Sequence, residues 1–313
     1  MLNQLSGQII EVVEQAAIAC YPWIGKGDNH SADQAAVSSM RKTLNEMTIS
    51  GRVVIGEGER DEAPMLYIGE EVGKGGLKVD IALDPLEGTT ICANAGESSL
   101  AVIAFANSGC FLHAPDVYME KIAVGANLPD GIVDLDNSAK KNLQNLAQAK
   151  KLDISDLTVM ILDRPRHQEL IAKVREAGAK IRLIGDGDVA GVIACTNQKT
   201  RVDIYMGTGG APEGVLSACA LRVIGGQMVS RLIFNNDQKQ INRAKEMGII
   251  DLNKKYREYD MAKGEVIFAC AGVTDGYLLK GVAKNSAKSF LVESLILDSS
   301  RRKIVKTQSE ILL

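Results

Sequence analysis

Val79-Asp-Ile-Ala-Leu-Asp84-Pro-Leu-Glu87-Gly-Thr89-Thr90 is the stretch from which the rest of the chain can be read. Val79, Ile81 and Leu83 alternate onto one face, which predicts a short strand that delivers Asp84 to its end. Pro85 holds Asp84 extended and cannot continue a ladder, so the chain is expected to turn there. The turn then presents Glu87, Gly88 and the hydroxyls of Thr89 and Thr90 in direct succession. Two carboxylates three residues apart on a tight turn can reach one or two hard cations. Gly88 lets backbone amides come close to an anion, and the Thr89 hydroxyl can orient a water. Such parts suit metal-assisted hydrolysis of a phosphate ester. The plainer alternative is a strand followed by an Asx-capped turn.

The whole chain is compatible with an enzyme of that kind. Its 313 residues suffice for one large or two medium domains with a substantial core. No apolar run approaches a membrane span, so no membrane partner is expected. The N-terminal Met-Leu-Asn-Gln-Leu-Ser-Gly has no basic region leading into an apolar stretch, so no signal peptide is expected. A formal charge of −3 argues against a nucleic-acid surface, and Arg301, Arg302 and Lys303 read as a solvated edge. The six cysteines lie among small apolar neighbours without C-x-x-C spacing. They read as buried free thiols in a reducing cytoplasm, neither a zinc site nor a disulfide framework.

From the N-terminus, Ile9, Ile10, Val13, Ala16, Ala17 and Cys20 form the stripe of a helix over roughly 7–24, which ends in the loop Gly25-Lys26-Gly27-Asp28. A second helix is predicted to open with a capping box, Ser31 and Gln34, and to bury Ala36, Val37, Met40, Leu44 and Met47. Asp33 falls in its first turn, where the helix dipole alone would favour an acid. A strand at Arg52–Ile55 feeds Gly56-Glu57-Gly58-Glu59-Arg60-Asp61-Glu62, a second place where acids gather at a strand end. Residues 98–124 read as antiparallel strands, Ser99–Phe105 and Phe111–Leu112 about a turn at Ser108-Gly109, with Tyr118 and Lys121 following.

From residue 157 strands and helices alternate. Strands at Leu157–Leu162, Ile181–Ile184 and Val202–Met206 lead respectively into Asp163-Arg-Pro-Arg-His167, Gly185-Asp-Gly-Asp188 and the glycine-rich Gly207-Thr-Gly-Gly-Ala-Pro-Glu-Gly214. Each is followed by a helix, the first closed by Gly178. Right-handed crossovers would put these three loops at the C-terminal edge of one sheet, where ligands bind. Arginines there suit a phosphate at the far end of a ligand. Gly185–Ala190 also fits a dinucleotide fingerprint, with Asp203 as the distal acid. Asp186 and Asp188, however, would set negative charge where a pyrophosphate must lie, and the motif is not at the first βα turn. The final third carries strands at Gly264–Phe268, Phe290–Leu297 and Lys303–Val305 and reads as structural.

Taken together, Gly56–Glu70, Asp84-Pro-Leu-Glu-Gly-Thr89, the Asp-Arg-Pro-Arg-His run, Gly-Asp-Gly-Asp-Val and Gly-Gly-Ala-Pro-Glu-Gly resemble the class II fructose-1,6-bisphosphatases, a branch of the lithium-sensitive, metal-dependent phosphatases. The resemblance runs over nearly the whole chain, with the motifs in the same order. It implies an α/β fold, a layered α-β-α-β-α sandwich of the sugar phosphatase and inositol monophosphatase type. An N-terminal α+β half, residues 1–155, would carry most metal ligands, and an α/β half, residues 156–313, the sugar- and phosphate-binding loops. By the same resemblance Asp33, Glu57, Asp84, Glu87 and Glu213 match metal ligands, two or more Mn²⁺ or Mg²⁺ ions being implied. Glu87, Gly88 and Thr89 match the turn that holds the scissile phosphate, with Thr89 orienting the attacking water and Asp61 an acid needed for catalysis. Tyr118, Arg164, Pro165, Arg166, Asp186, Gly187, Asp188 and Gly210 match positions that hold the sugar and the distal phosphate.

The implied reaction is hydrolysis of the 1-phosphate of fructose 1,6-bisphosphate by a homodimer or homotetramer. Sedoheptulose bisphosphate, an inositol-monophosphatase-like activity and a sugar-phosphate sensor without turnover are the alternatives. The paired Arg164 and Arg166 favour a bisphosphate, and the short segment between Glu71 and Val79 favours the gluconeogenic role. One departure bears on turnover. The family it resembles usually reads Gly-Asp-Lys-Asn before the second helix, whereas this chain has Gly27-Asp28-Asn29-His30. Either Lys26 substitutes for the missing lysine at Asn29, or turnover is slowed. The chain also stops at Leu313, where many relatives carry a tail.

Overall fold

The structure is a computed structural model, and it describes residues 2–58 and 64–312. In chain order its first elements are α1 (Ser6–Cys20), α2 (Asn29–Glu46), β1 (Ile49–Ile55), β2 (Glu71–Val72), β3 (Leu77–Glu87), α3 (Thr89–Ala93) and β4 (Leu100–Asn107). Next come β5 (Tyr118–Val124), α4 (Ala139–Lys150), β6 (Thr158–Leu162), α5 (Gln168–Ala177), β7 (Lys180–Ile184), α6 (Asp188–Ala194), β8 (Ile204–Gly210) and α7 (Ala211–Ile224). The chain continues through β9 (Gln227–Ile233), α8 (Gln238–Glu246), β10 (Lys255–Arg257) and α9 (Glu258–Met261) to β11 (Val266–Gly272), β12 (Ala283–Ser286), β13 (Ser289–Asp298) and β14 (Lys303–Leu312). The fold is mixed α/β, as expected.

These elements divide into two compact units, residues 1–112 with 262–313, and residues 113–261. The boundary expected near residue 155 does not coincide with this division. The final third returns to the first unit because β11 pairs antiparallel with β4 along its whole length, Val266 opposite Ala106 through Gly272 opposite Leu100.

In the first unit the sheet runs β12-β13-β11-β4-β3-β1-β2, with β14 against β13. Helices α1 and α2 cover one face: Ile9, Val13, Ala17, Met40 and Leu44 share a core with Val79, Ile81, Leu83, Ile103, Phe105 and Ile296. The predicted stripes of both helices are the buried ones, apart from Ile10, which is half-buried. The start of α2 differs from expectation. Its cap is Asp28, whose carboxylate accepts from Ser31 N at 2.9 Å and from Ser31 Oγ at 2.6 Å. Ser31 is therefore an orphan donor satisfied by the cap and not the cap itself. Because the helix starts at Asn29, Asp33 lies past the first turn.

Strand β3 also corrects the sequence reading. It does not stop at Pro85 but runs to Glu87, because its pairing with β4 shifts between Asp84 (opposite Val102) and Glu87 (opposite Leu100). The shift places one extra residue on β3, a bulge, and Pro85 falls inside it, where no ladder donor is required. Asp84 Oδ1 accepts from Leu86 N at 3.1 Å and braces the bulge. Nor is Phe111–Leu112 the partner strand of the preceding one. Phe111 makes an isolated bridge to Ala262, and β4 lies between β3 and β11.

In the second unit the sheet runs β10-β9-β5-β8-β6-β7, with β8, β6 and β7 parallel as the alternating pattern predicts. Helices α4 and α5 bury Leu143, Leu146, Ile171 and Val174 against Ile122, Val159, Ile161, Ile204 and Met206. On the other face α6 sits over Met160 and Tyr205, close enough that a Cβ at its Gly191 would lie 3.1 Å from the Met160 sulfur. Gly178 ends α5 at φ 93°, as predicted. The glycine-rich stretch is not a loop, however. Gly207–Gly210 is the last part of β8, paired across from Lys121 to Tyr118 of β5.

Candidate active site

In the first unit the predicted groups sit on adjoining elements. Asp33 projects from α2, and Glu57 follows β1, its N–H held by Leu66 O at 3.1 Å. Asp84 and Glu87 lie on either side of the β3 bulge, and Glu87 is buried. Immediately after it Gly88 takes φ 78° and ψ 53°, a left-handed conformation that an L side chain resists. Gly88 O accepts from Cys92 N at 3.0 Å and starts α3, with Thr89 at its first position. The glycine loop before α2 is tied to the end of α3: Gly25 N donates to Cys92 O at 3.0 Å and Gly27 N to Ala93 O at 2.8 Å. Through these bonds the helix bearing Asp33 and the turn bearing Thr89 are packed side by side. Burial pushes the Asp33 carboxyl above its ordinary range, against the pull of His30. Asp61 lies outside the described residues.

In the second unit the loops after β6 and β7 are knitted to each other and to the glycine-rich end of β8. Arg164 faces Asp186 across the two loops, Nη2 to Oδ1 at 3.8 Å. Arg166 Nε donates to Thr208 O at 2.9 Å, and its guanidinium lies over the Tyr118 ring at 4.8 Å. Pro165 opens the short 3₁₀ turn that aims both arginines. His167, buried at the end of that turn, sets the spacing: Nδ1 pairs with Leu162 O at 2.7 Å and Nε2 accepts from Thr208 N at 2.8 Å. Its proton is thereby placed on Nδ1, and burial holds the ring below its ordinary pKa. Gly187 at φ 83° caps α6 and delivers Asp188, which is buried against Lys121. A cavity of about 360 Å³ opens beside Arg166, His167 and Thr208.

Gly210 precedes α7, and Glu213 stands at the third position of that helix behind Pro212. A Cβ at Gly210 would collide with the Glu213 carboxylate, so glycine is what lets this acid fold over the strand end. Glu213 Oε2 is shielded from solvent and has no hydrogen-bond partner. Burial, together with the neighbouring Asp188 charge, raises its pKa to about 7, with Lys121 opposing. Among the described residues, no three His, Cys, Asp or Glu side chains converge tightly enough to hold an ion. The acids expected to bind metal nonetheless have the right chemistry, each within its own unit. They are all carboxylates, the ligand type of Mg²⁺ and Mn²⁺, and the orphaned Glu213 oxygen is the kind of atom a cation satisfies.

Tyr118, Arg164, Pro165, Arg166, Asp186, Gly187, Asp188 and Gly210 are thus brought to one end of the second unit's sheet. Sequence reasoning attached no role to Lys121, His167 or Thr208. For Lys121 a signal existed: Met119, Lys121 and Ala123 alternate onto one face of β5, and all three are buried. The Asp203 of the dinucleotide reading is otherwise engaged, with Lys150 and with Thr158 N at 2.8 Å.

The chemistry legible in the two units, acids and a hydroxyl at strand ends in one and arginines over an aromatic ring in the other, defines a class: α/β phosphoric monoester hydrolases. Comparison with known proteins makes the class particular. The chain belongs to the family described as "Bacterial fructose-1,6-bisphosphatase, glpX-encoded", whose model matches residues 3–311. It is 44% identical to the "D-fructose 1,6-bisphosphatase class 2/sedoheptulose 1,7-bisphosphatase" of Synechococcus sp. (strain JA-3-3Ab), over 97% of this chain and 94% of that protein. The Prochlorococcus marinus (strain MIT 9515) protein of the same name is 48% identical over 90% and 89%. Among solved structures, an inositol monophosphatase from Anabaena (Nostoc) sp. PCC 7120 aligns over 65% of this chain and 74% of its own at 14% identity. Its TM-score is 0.35, too loose a match to bear on fold or function. No helix among the described residues is long and apolar enough to cross a membrane.

Proposed function

We propose that this chain hydrolyses the 1-phosphate of D-fructose 1,6-bisphosphate, releasing fructose 6-phosphate and phosphate, in a gluconeogenic role. The observation that carries the choice of a bisphosphate is the arginine pair, Arg164 against Asp186 and Arg166 stacked on Tyr118. Two fixed cations at one loop edge recognise a second phosphate that a monoester would lack. Asp33, Glu57, Asp84, Glu87 and Glu213 are proposed to hold two or more Mn²⁺ or Mg²⁺ ions. Ions so held supply Lewis acidity at the phosphate, acidify a water and offset charge on the departing oxygen. The chain's own groups do the rest. Gly88 and Thr89 cradle the scissile phosphate, the Thr89 hydroxyl orients water for in-line attack, and Asp61 is an acid needed for catalysis. Attack forms a new P–O bond and breaks the bond to the C1 oxygen. Assembly into two or four copies, in the cytoplasm, belongs to the same reading.

A second substrate has support of its own, since relatives carry sedoheptulose 1,7-bisphosphatase in their names. Here the connection from β2 to β3 is only the short Gly73–Gly76 turn, which favours the fructose bisphosphate. The sensor alternative rests on Asn29, which stands exposed at the first position of α2, three residues from Lys26. Phosphate release measured with Mn²⁺ on fructose bisphosphate, sedoheptulose bisphosphate and inositol phosphate separates these readings. Fastest turnover of fructose bisphosphate is expected, and no release from any of them would leave the sensor.

A further inference from the structure

Lys121 is among the largest fully buried side chains, and it is a cation. Strand alternation on β5 sends it to the same inner face as Met119 and Ala123. There its ammonium meets the Asp188 carboxylate and donates to Gly210 O at 2.9 Å. The space it occupies is prepared by glycines. A Cβ at Gly209 would collide with the Asp188 carboxylate and lie 3.0 Å from the Lys121 nitrogen, while one at Gly214 would lie 3.6 Å from Lys121 Cδ. One side chain thus pins three elements: the start of α6 through Asp188, the end of β8 through Gly210, and β5 itself. Asp186, at the other end of the same short turn, is anchored separately by Arg164.

A buried ammonium is costly and is kept only where its partners hold it well. Nothing in the packing of a small strand face calls for one, since a methionine would fill the space without the charge. What the charge does is restrict Asp188 to one position over Gly209. We infer that Lys121 is a positioning residue for sugar recognition: it acts by orienting the Asp188 carboxylate for the hydroxyls of the sugar. The inference rests on the reading of Asp186–Asp188 and Gly210 as the sugar-holding loops.

The test uses the full-length, metal-loaded enzyme and the variants Lys121→Met, Asp188→Asn and the double variant. For each, KM and kcat on fructose bisphosphate, competitive inhibition by inorganic phosphate and the melting temperature are measured. A residue that orients a functional ligand shifts function on the order of tenfold to a hundredfold. Lys121→Met is expected to raise KM by about tenfold or more, to lower kcat far less, and to leave phosphate inhibition unchanged. Because Lys121 acts through Asp188, the double variant is expected to match Asp188→Asn in KM. Should Lys121→Met fail to fold, with Asp188 left as an unpaired buried charge, the neutral double variant decides alone. A normal KM in Lys121→Met, or a double variant whose KM exceeds that of Asp188→Asn severalfold, overturns the inference while the sugar-holding loop stands. An unchanged KM in Asp188→Asn removes the loop's role and the inference with it.

Discussion

The Glu87–Thr89 turn of the first unit and the Arg164–Asp188 loops of the second place their chemistry by different means. In the first, backbone geometry does it: a one-residue bulge around Pro85 and a left-handed Gly88 carry Glu87 and Thr89 to their positions. In the second, side chains reaching between loops do it. Arg166 and His167 both bond the Thr208 backbone, Arg164 faces Asp186, and Lys121 joins Asp188 to Gly210. A site made by backbone tolerates loss of a neighbour but not of the strained residue. One made by side-chain ties weakens a step with each tie removed. The contrast predicts that damage in the first unit falls on turnover and damage in the second on affinity.

The largest effect should come from removing the ions that the first unit's acids are proposed to hold. A chelator is expected to abolish phosphate release, and Mn²⁺ or Mg²⁺ to restore it; full activity in chelated enzyme would break the metal half of the comparison. Next comes Thr89→Ala, expected to lower kcat on the order of a hundredfold, the scale of one positioned acid–base group, with substrate affinity retained. Thr89→Ser keeps the oxygen but loses the methyl that stiffens χ1, and should fall between. Calorimetric binding alongside kcat distinguishes these. Equal turnover in the two variants would reduce Thr89 to a turn residue and shift the orientation of water to Asp61.

In the second unit Arg164→Ala or Arg166→Ala should raise KM by about tenfold, the worth of a charge-assisted hydrogen bond, while kcat moves less. A normal KM in both would mean that these arginines serve only the loop ties. The smallest effect is on stability. His167 is held neutral, its pKa below the ordinary 6.5 because burial disfavours the charged ring. The folded state therefore binds fewer protons than the unfolded one, so its stability is fully present above 6.5 and is lost as pH falls below it. Melting temperature followed across roughly pH 8 to 5 should drop more steeply for the wild type than for His167→Gln. Parallel curves would show that the ring's protonation is not linked to folding.

Features written in neighbouring residues are legible in the amino-acid sequence by itself. The helical stripes of α1 and α2, the Gly178 stop and the need for glycine at position 88 all depend on residues within a turn or two of one another, and the parallel β6, β7 and β8 follow from a plain alternation of strand and helix. The motif Asp84-Pro-Leu-Glu-Gly-Thr89 points to phosphate-ester chemistry only together with the other four motifs, which are likewise local. Tertiary structure alone decided the rest, because a local pattern names a group without naming its partner. That β4 would pair with β11, and that Pro85 would lie in a bulge and not at a strand end, follows from long-range register. That Gly207–Gly210 would be strand follows from its pairing with Tyr118–Lys121 of β5, and the His167, Asp188 and Glu213 side chains that crowd it explain why its residues are small. Lys121 shows the division most plainly. Its alternation on β5 marked it for burial, but the acid that makes a buried ammonium tolerable lies 67 residues away, and only the folded sheet brings the two together.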